Sequence, residues 1–244
     1  MEVKIWAYGD SFVAGDQDIP GRVDAIAEHM EYNRHNISFA SHLAKNINAN
    51  LINRGISGCS NFVQLDKLWL DAPNIDKNDI VIFGLTTFMR DRFTIPNSCP
   101  QLVAHTRGPT LIHRELVNGT YDIIKVAIVD LFYVLSVIEK IEEIYNIKVI
   151  KFNLFHNILS EATENDRKLF KFNNFIGSTH LGNTLLDVLT DNWGNDKLRI
   201  VDHSKWKAPK KYLHLFTVNK HPSLEGHKLI AKWLETQLTE MGVI

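Results

Sequence analysis

Four short segments of the chain carry groups that could act together on an acyl carbon. Gly9-Asp10-Ser11-Phe12 offers a hydroxyl, and Asn53-Arg54-Gly55-Ile56-Ser57-Gly58 offers backbone N–H groups beside glycines. Gly84-Leu85-Thr86-Thr87 offers two hydroxyls, and His221-Pro222-Ser223-Leu224-Glu225-Gly226-His227 offers an imidazole. Acyl transfer needs a nucleophile, a base to take its proton, and donors aimed at the oxygen that becomes negative. The four segments contain all three kinds of group.

The elements that must position them are legible from pattern. Val3 to Tyr8 is an apolar run that stops at Gly9, as a buried parallel strand ending in a tight turn would. Leu51-Ile52 reads as a second short strand. Asp79 to Gly84, β-branched and aromatic and closed by glycine, reads as a central strand, and Lys148 to Phe155 as a fourth. Between them, Ser38 to Asn48 spaces Phe39, Leu43, Ala44 and Ile47 as a helical stripe with Ser38 as N-cap. Tyr121 to Tyr145 and Leu224 to Met241 read as further helices. Strands alternating with helices predict a parallel sheet covered on both faces, an α/β/α sandwich. In such sheets ligands bind outside the carboxyl ends of the strands. The Ser, Gly and Thr segments each follow a strand, and the His segment precedes the last helix.

These segments together resemble the SGNH/GDSL hydrolase superfamily, whose blocks contribute Ser, Gly, Asn and His in that chain order. Gly9-Asp10-Ser11-Phe12-Val13-Ala14-Gly15 is similar to the first block, Asn53-x-Gly-Ile-Ser-Gly58 to the second, and His221-Pro-Ser-x-x-Gly-His227 to the last. The resemblance runs from Ser11 to His221 and implies the family's flavodoxin-like three-layer fold with a central parallel sheet. It implies Ser11 as nucleophile, His221 as general base, and the backbone N–H groups of Ser11 and Gly58 as oxyanion donors. Asp10 and Asn53 would be structural residues beside the site. The implied activity is serine ester hydrolysis of a small acyl ester, O-acetylated sugars included, without cofactor or metal; an acyltransferase would use the same machinery.

The chain departs from the family pattern twice. Thr86 stands where the family carries its oxyanion asparagine, which makes its hydroxyl a candidate oxyanion donor, and Arg90 is a candidate replacement. Val218 stands three residues before His221, where the family carries aspartate. An imidazole still needs an acceptor to fix its tautomer; Asn219, Asp202 or a backbone carbonyl are the candidates. These departures also fit a catalytically weak or inactive relative that binds a glycan or a protein partner.

The remaining composition excludes more than it adds. A formal net charge of −1 gives no global field for nucleic acid or an anionic membrane, and Lys205-Trp206-Lys207 and Lys210-Lys211 read as solvated loop. Cys59 and Cys99 have neither disulfide-framework nor metal spacing, and nothing around Cys59 marks an activated thiol. His156, His180, His203 and His214 show no metal-ligand spacing, and His227 reads as a capping or packing residue. No signal peptide or membrane span is visible, so a cytoplasmic protein is expected; heavy use of Asn, Lys and Ile fits an AT-rich bacterial or phage genome. A single domain over residues 1–244 is expected, with irregular insertions near 16–36, 92–120 and 160–215, and the polar, asparagine-rich stretch Ser160 to Asn195 is assigned no element. The sequence does not indicate an oligomeric state.

Overall fold

The five main strands lie parallel in the order β2-β1-β3-β6-β7, with β1 Lys4–Tyr8, β2 Asn50–Asn53, β3 Ile80–Leu85, β6 Val149–Asn153 and β7 Phe175–Ile176. The computed structural model describes residues 2–15, 37–86, 123–154, 163–168, 173–176, 184–190, 210–217 and 221–244, and the backbone of 90–94 and 102–106. Counted along this sheet alone, the order is the flavodoxin-like 2-1-3-4-5, which reverses direction between β1 and β3.

Both faces of the sheet are buried, which is why β3 is apolar throughout rather than alternating. One face sets Ile5, Ala7, Ile82, Ile150 and Phe152 against α1 (Ser11–Ala14), α2 (Phe39–Asn46), α6 (Leu185–Thr190) and α7 (Leu224–Glu240). The other sets Trp6, Tyr8, Val81, Phe83 and Val149 against α3 (Asn61–Asp71) and α4 (Ile123–Tyr145). This is the three-layer α/β/α sandwich expected. A short helix, α5 (Glu164–Lys168), follows β6. Among the described residues no helix is long and apolar enough to cross a membrane.

Helix starts follow capping chemistry. Ser38 accepts from the Ser41 N–H at the start of α2, Ser60 from Val63 N–H at α3, and Ser223 from Gly226 N–H at α7. The expected strands and helices stand within a residue or two of their predicted bounds. Three parts of the chain depart from the expectation. The stretch 92–120, expected to be irregular, contains an antiparallel ribbon: β4 (Arg90–Thr94) pairs with β5 (Leu102–Thr106), and Arg90 lies opposite Thr106. Among the described residues its two strands pair only with each other. Helix α3 was not anticipated, and neither were β7 and α6 within the unassigned polar stretch. The insertion at 16–36, much of those at 92–120 and 160–215, and Cys99, His156, His180 and His203 lie outside the described residues.

Candidate active site

The carboxyl edge of β1 opens on Gly9, whose φ is +154° and whose missing Cβ would fall 2.3 Å from Val13 Cγ2. Only glycine lets the chain turn this closely into α1. Asp10 caps that helix, accepting the Phe12 N–H at 3.0 Å on Oδ1. Ser11 therefore sits in the first turn of a helix directly above β1, and it is buried, at 5% exposure.

Asp10 has a second task. Its Oδ2 accepts the hydroxyl of Thr86 at 2.8 Å, and both side chains are buried. The carboxylate thus ties the turn after β1 to the turn after β3, across the switch point of the sheet. A hydroxyl has one proton to give, and Thr86 gives it to Asp10. The resemblance implied that this hydroxyl faces the oxyanion; here it is a strut. The backbone of Thr86 is held as well. Asn61, the first residue of α3, accepts the Thr86 N–H at 2.8 Å and donates to the Thr86 carbonyl at 3.0 Å.

The segment after β2 is fastened to α1. The Asn53 amide donates to the Val13 carbonyl at 2.8 Å and accepts Gly55 N–H at 2.9 Å, and Ile56 N–H donates to the Gly9 carbonyl at 3.0 Å. Gly55 has to be glycine because a Cβ there would meet Ala14 N at 2.5 Å. Gly58 adopts φ +71° in open space, so its glycine answers to backbone conformation alone. Cys59 is buried with its thiol on the Gly9 carbonyl at 3.3 Å, and it accepts from the Gln64 amide at 2.9 Å. It packs against the turn that carries Ser11.

His221 arrives on a small closed loop. Phe216 bridges Pro222, Thr217 N–H donates to the His221 carbonyl at 2.7 Å, and Ser223 N–H donates to the Leu215 carbonyl at 2.9 Å. A 3₁₀ turn, Lys210–Leu215, leads into this loop. Gly226 lets α7 lie on that turn, since a Cβ would stand 2.4 Å from the Leu215 carbonyl oxygen. The loop brings the His221 ring to 5.9 Å, centroid to centroid, from the ring of Phe12, the neighbour of Ser11.

His227, one turn into α7, is fully buried. Its Nδ1 accepts the Phe39 N–H at 3.1 Å, so it caps α2 rather than its own helix. Burial, with smaller contributions from His42 and His221, pushes it down to about 3. It is therefore neutral, with its proton on Nε2.

Of the residues singled out in the sequence, the structure gathers Ser11, Gly58, Thr86 and His221 around the carboxyl ends of β1, β2 and β3, with Asp10 and Asn53 as braces. Arg90 is placed by its backbone alone, at the start of β4. Asn219, Asp202 and Val218 lie outside the described residues. Sequence reasoning missed Asn61. Its one local signal is the Ser60 cap before it, because its partner Thr86 is 25 residues away.

No family model matches the sequence, and no curated protein does. Solved structures do. A protein described as lipolytic, of the G-D-S-L family, from Desulfitobacterium hafniense superposes with TM-score 0.50 at 16% identity, covering 96% of this chain and 99% of its own. An acetyl xylan esterase from Butyrivibrio proteoclasticus gives 0.50 at 16% identity over 99% of this chain and 64% of that one. A family two carbohydrate esterase from Clostridium thermocellum, in complex with cellohexaose, gives 0.51 at 12% identity over 100% and 66%. At these identities the likeness establishes the fold.

Proposed function

Starting from an α/β fold of the SGNH/GDSL hydrolase kind, we propose that this chain is a serine ester hydrolase with Ser11 as nucleophile and His221 as base. The observation that carries the reading is the loop that sets the His221 ring 5.9 Å from Phe12, against the helix whose first residue is Ser11. His221 takes the Ser11 hydroxyl proton as Oγ adds to the ester carbonyl. The N–H groups of Ser11 and Gly58 hold the oxyanion. Collapse expels the alcohol, which takes the proton back from His221, and water then cleaves the acyl-serine by the same steps in reverse roles. Asp10, Asn53 and Asn61 hold the three turns in place and touch no reacting atom. The substrate class is a small acyl ester, and acyl groups on carbohydrates are favoured by the two carbohydrate esterases that share the fold.

A second reading, a weakly active or inactive relative that binds a glycan or a protein, draws on one observation. The Thr86 hydroxyl is committed to Asp10, which leaves the oxyanion one side-chain donor short. Incubation with a fluorophosphonate and with p-nitrophenyl acetate separates the two readings. The wild-type protein should be labelled and turn over ester, and Ser11→Ala should do neither. Wild-type signal no higher than that of Ser11→Ala would remove the hydrolase reading.

A further inference from the structure

Asn153, the last residue of β6, is 1% exposed, and its side-chain amide nitrogen meets no acceptor among the described residues. Folded proteins leave few buried donors unmade, because each forfeits its bond to water without replacement. The place of this one is informative. Asn153 lies in register with Leu85, whose successor Thr86 is bonded to Asp10, the cap of the helix that begins at Ser11. It is at the carboxyl edge of the sheet, where open parallel sheets receive ligands. By the pleat it shares a face with Lys151, the face covered by α4, since Lys151 pairs with Glu142 of that helix at 2.8 Å. The nearby asparagine Asn61 spends its amide on the Thr86 carbonyl. Among the described residues the Asn153 amide nitrogen has no such acceptor.

The strand order β1-β3-β6 sets Asn153 two strand spacings, about 10 Å, from β1, the strand that leads into Ser11. A small acyl group cannot span this. An acetyl group extends one C–C bond, about 1.5 Å, past the carbon under attack. The alcohol part of the ester can span it.

We propose that Asn153 is a substrate-binding residue whose amide donates to an oxygen of a hydroxylated, sugar-like alcohol portion of the ester. The inference rests on the hydrolase reading above and names the side of the substrate that the protein recognises. A bond of this kind is open to a carbohydrate ester, whose alcohol portion carries hydroxyl and ring oxygens, and not to phenyl acetate, whose leaving group carries no oxygen beyond the ester's own.

The test is the ratio of kcat/KM for acetylated xylobiose to kcat/KM for phenyl acetate, in wild type and in Asn153→Leu, a change of similar size. The ratio should fall at least tenfold, through the KM for the sugar ester. Asn153→Ala gives the same comparison if the leucine variant does not fold. Titration of xylobiose into wild type and variant should show binding weakened at least tenfold. A ratio unchanged by both substitutions overturns the proposal and leaves the hydrolase reading standing. If wild type hydrolyses neither ester, the hydrolase reading fails and the titration decides Asn153 alone; equal affinity, or no binding to wild type, overturns it.

Discussion

Replacing Thr86 with valine distinguishes a strut from an oxyanion donor, because the two roles predict opposite patterns of loss. Valine keeps the volume and removes only the hydroxyl, so little cavity forms. What goes is one buried bond of 2.8 Å to a carboxylate oxygen of Asp10, a residue with no exposed surface. A hydrogen bond to a charged group contributes about 1.5–3 kcal/mol. In a chain of this size each kcal/mol moves the midpoint of thermal unfolding by about 2–4 °C. Thr86→Val should therefore lower the melting temperature by roughly 3–12 °C. Asp10 keeps Phe12 N–H on its other oxygen, so α1 stays capped, and kcat measured well below the new midpoint should fall by less than about tenfold. A true oxyanion donor behaves the other way: its loss costs about 100- to 1000-fold in kcat and little stability. Thermal unfolding read by tryptophan fluorescence, together with turnover of p-nitrophenyl acetate, gives both numbers. A kcat loss beyond 100-fold with an unmoved melting temperature would refute the strut.

The buried histidine makes a claim about acid. His227 is held down to about 3, below the ordinary value near 6.5, so the unfolded chain binds a proton there that the folded chain refuses. Stability is then full above about pH 6.5 and is lost as pH falls from there toward 3, by up to about 1.4 kcal/mol per pH unit. Asparagine in place of His227 keeps an acceptor for Phe39 N–H and removes the titration. Between pH 7 and 5 wild type should lose about 2 kcal/mol more than His227→Asn in urea melts; equal losses would show that His227 does not titrate on unfolding. In Gly226→Ala the new Cβ meets a backbone oxygen at 2.4 Å. The turn before His221 must move, so circular dichroism melts should show about 1–3 kcal/mol lost and ester turnover should fall with it. An alanine variant with wild-type melting would mean that the packing is looser than described.

The sheet was legible in the sequence because it is buried on both sides. Ile80–Leu85 can hardly be anything but a central strand, and Ser38 announces α2 by the side chain that caps it. The Ser11 turn and the His221 loop were equally plain, since their glycines and proline mark backbone that few other residues can follow. Helix α3 went unread even though Ser60 caps it and Leu65 and Leu68 share a buried face. Its exposed side also carries Trp69 and Leu70, which blurs the amphipathic period. The strut was illegible for another reason. Nothing near Thr86 says that its hydroxyl will meet a carboxylate 76 residues away, and family position alone pointed to a different task. Asn61 and Asn153 were hidden likewise, because an asparagine's role is set by what lies opposite it once strands pair.

The bond from Phe39 N–H to His227 joins parts of the chain 188 residues apart, and this separation puts a clock on the protein. At ordinary rates of translation the interval between making the two ends of that bond is roughly 10–40 s. During it, the Ser11 segment and β1 already exist, while the His221 loop and α7 do not. Helix α2 waits with its first N–H uncapped and its face against α7 bare. Docking of α7 therefore completes this side of the core and sets the His221 ring beside Phe12 in one event.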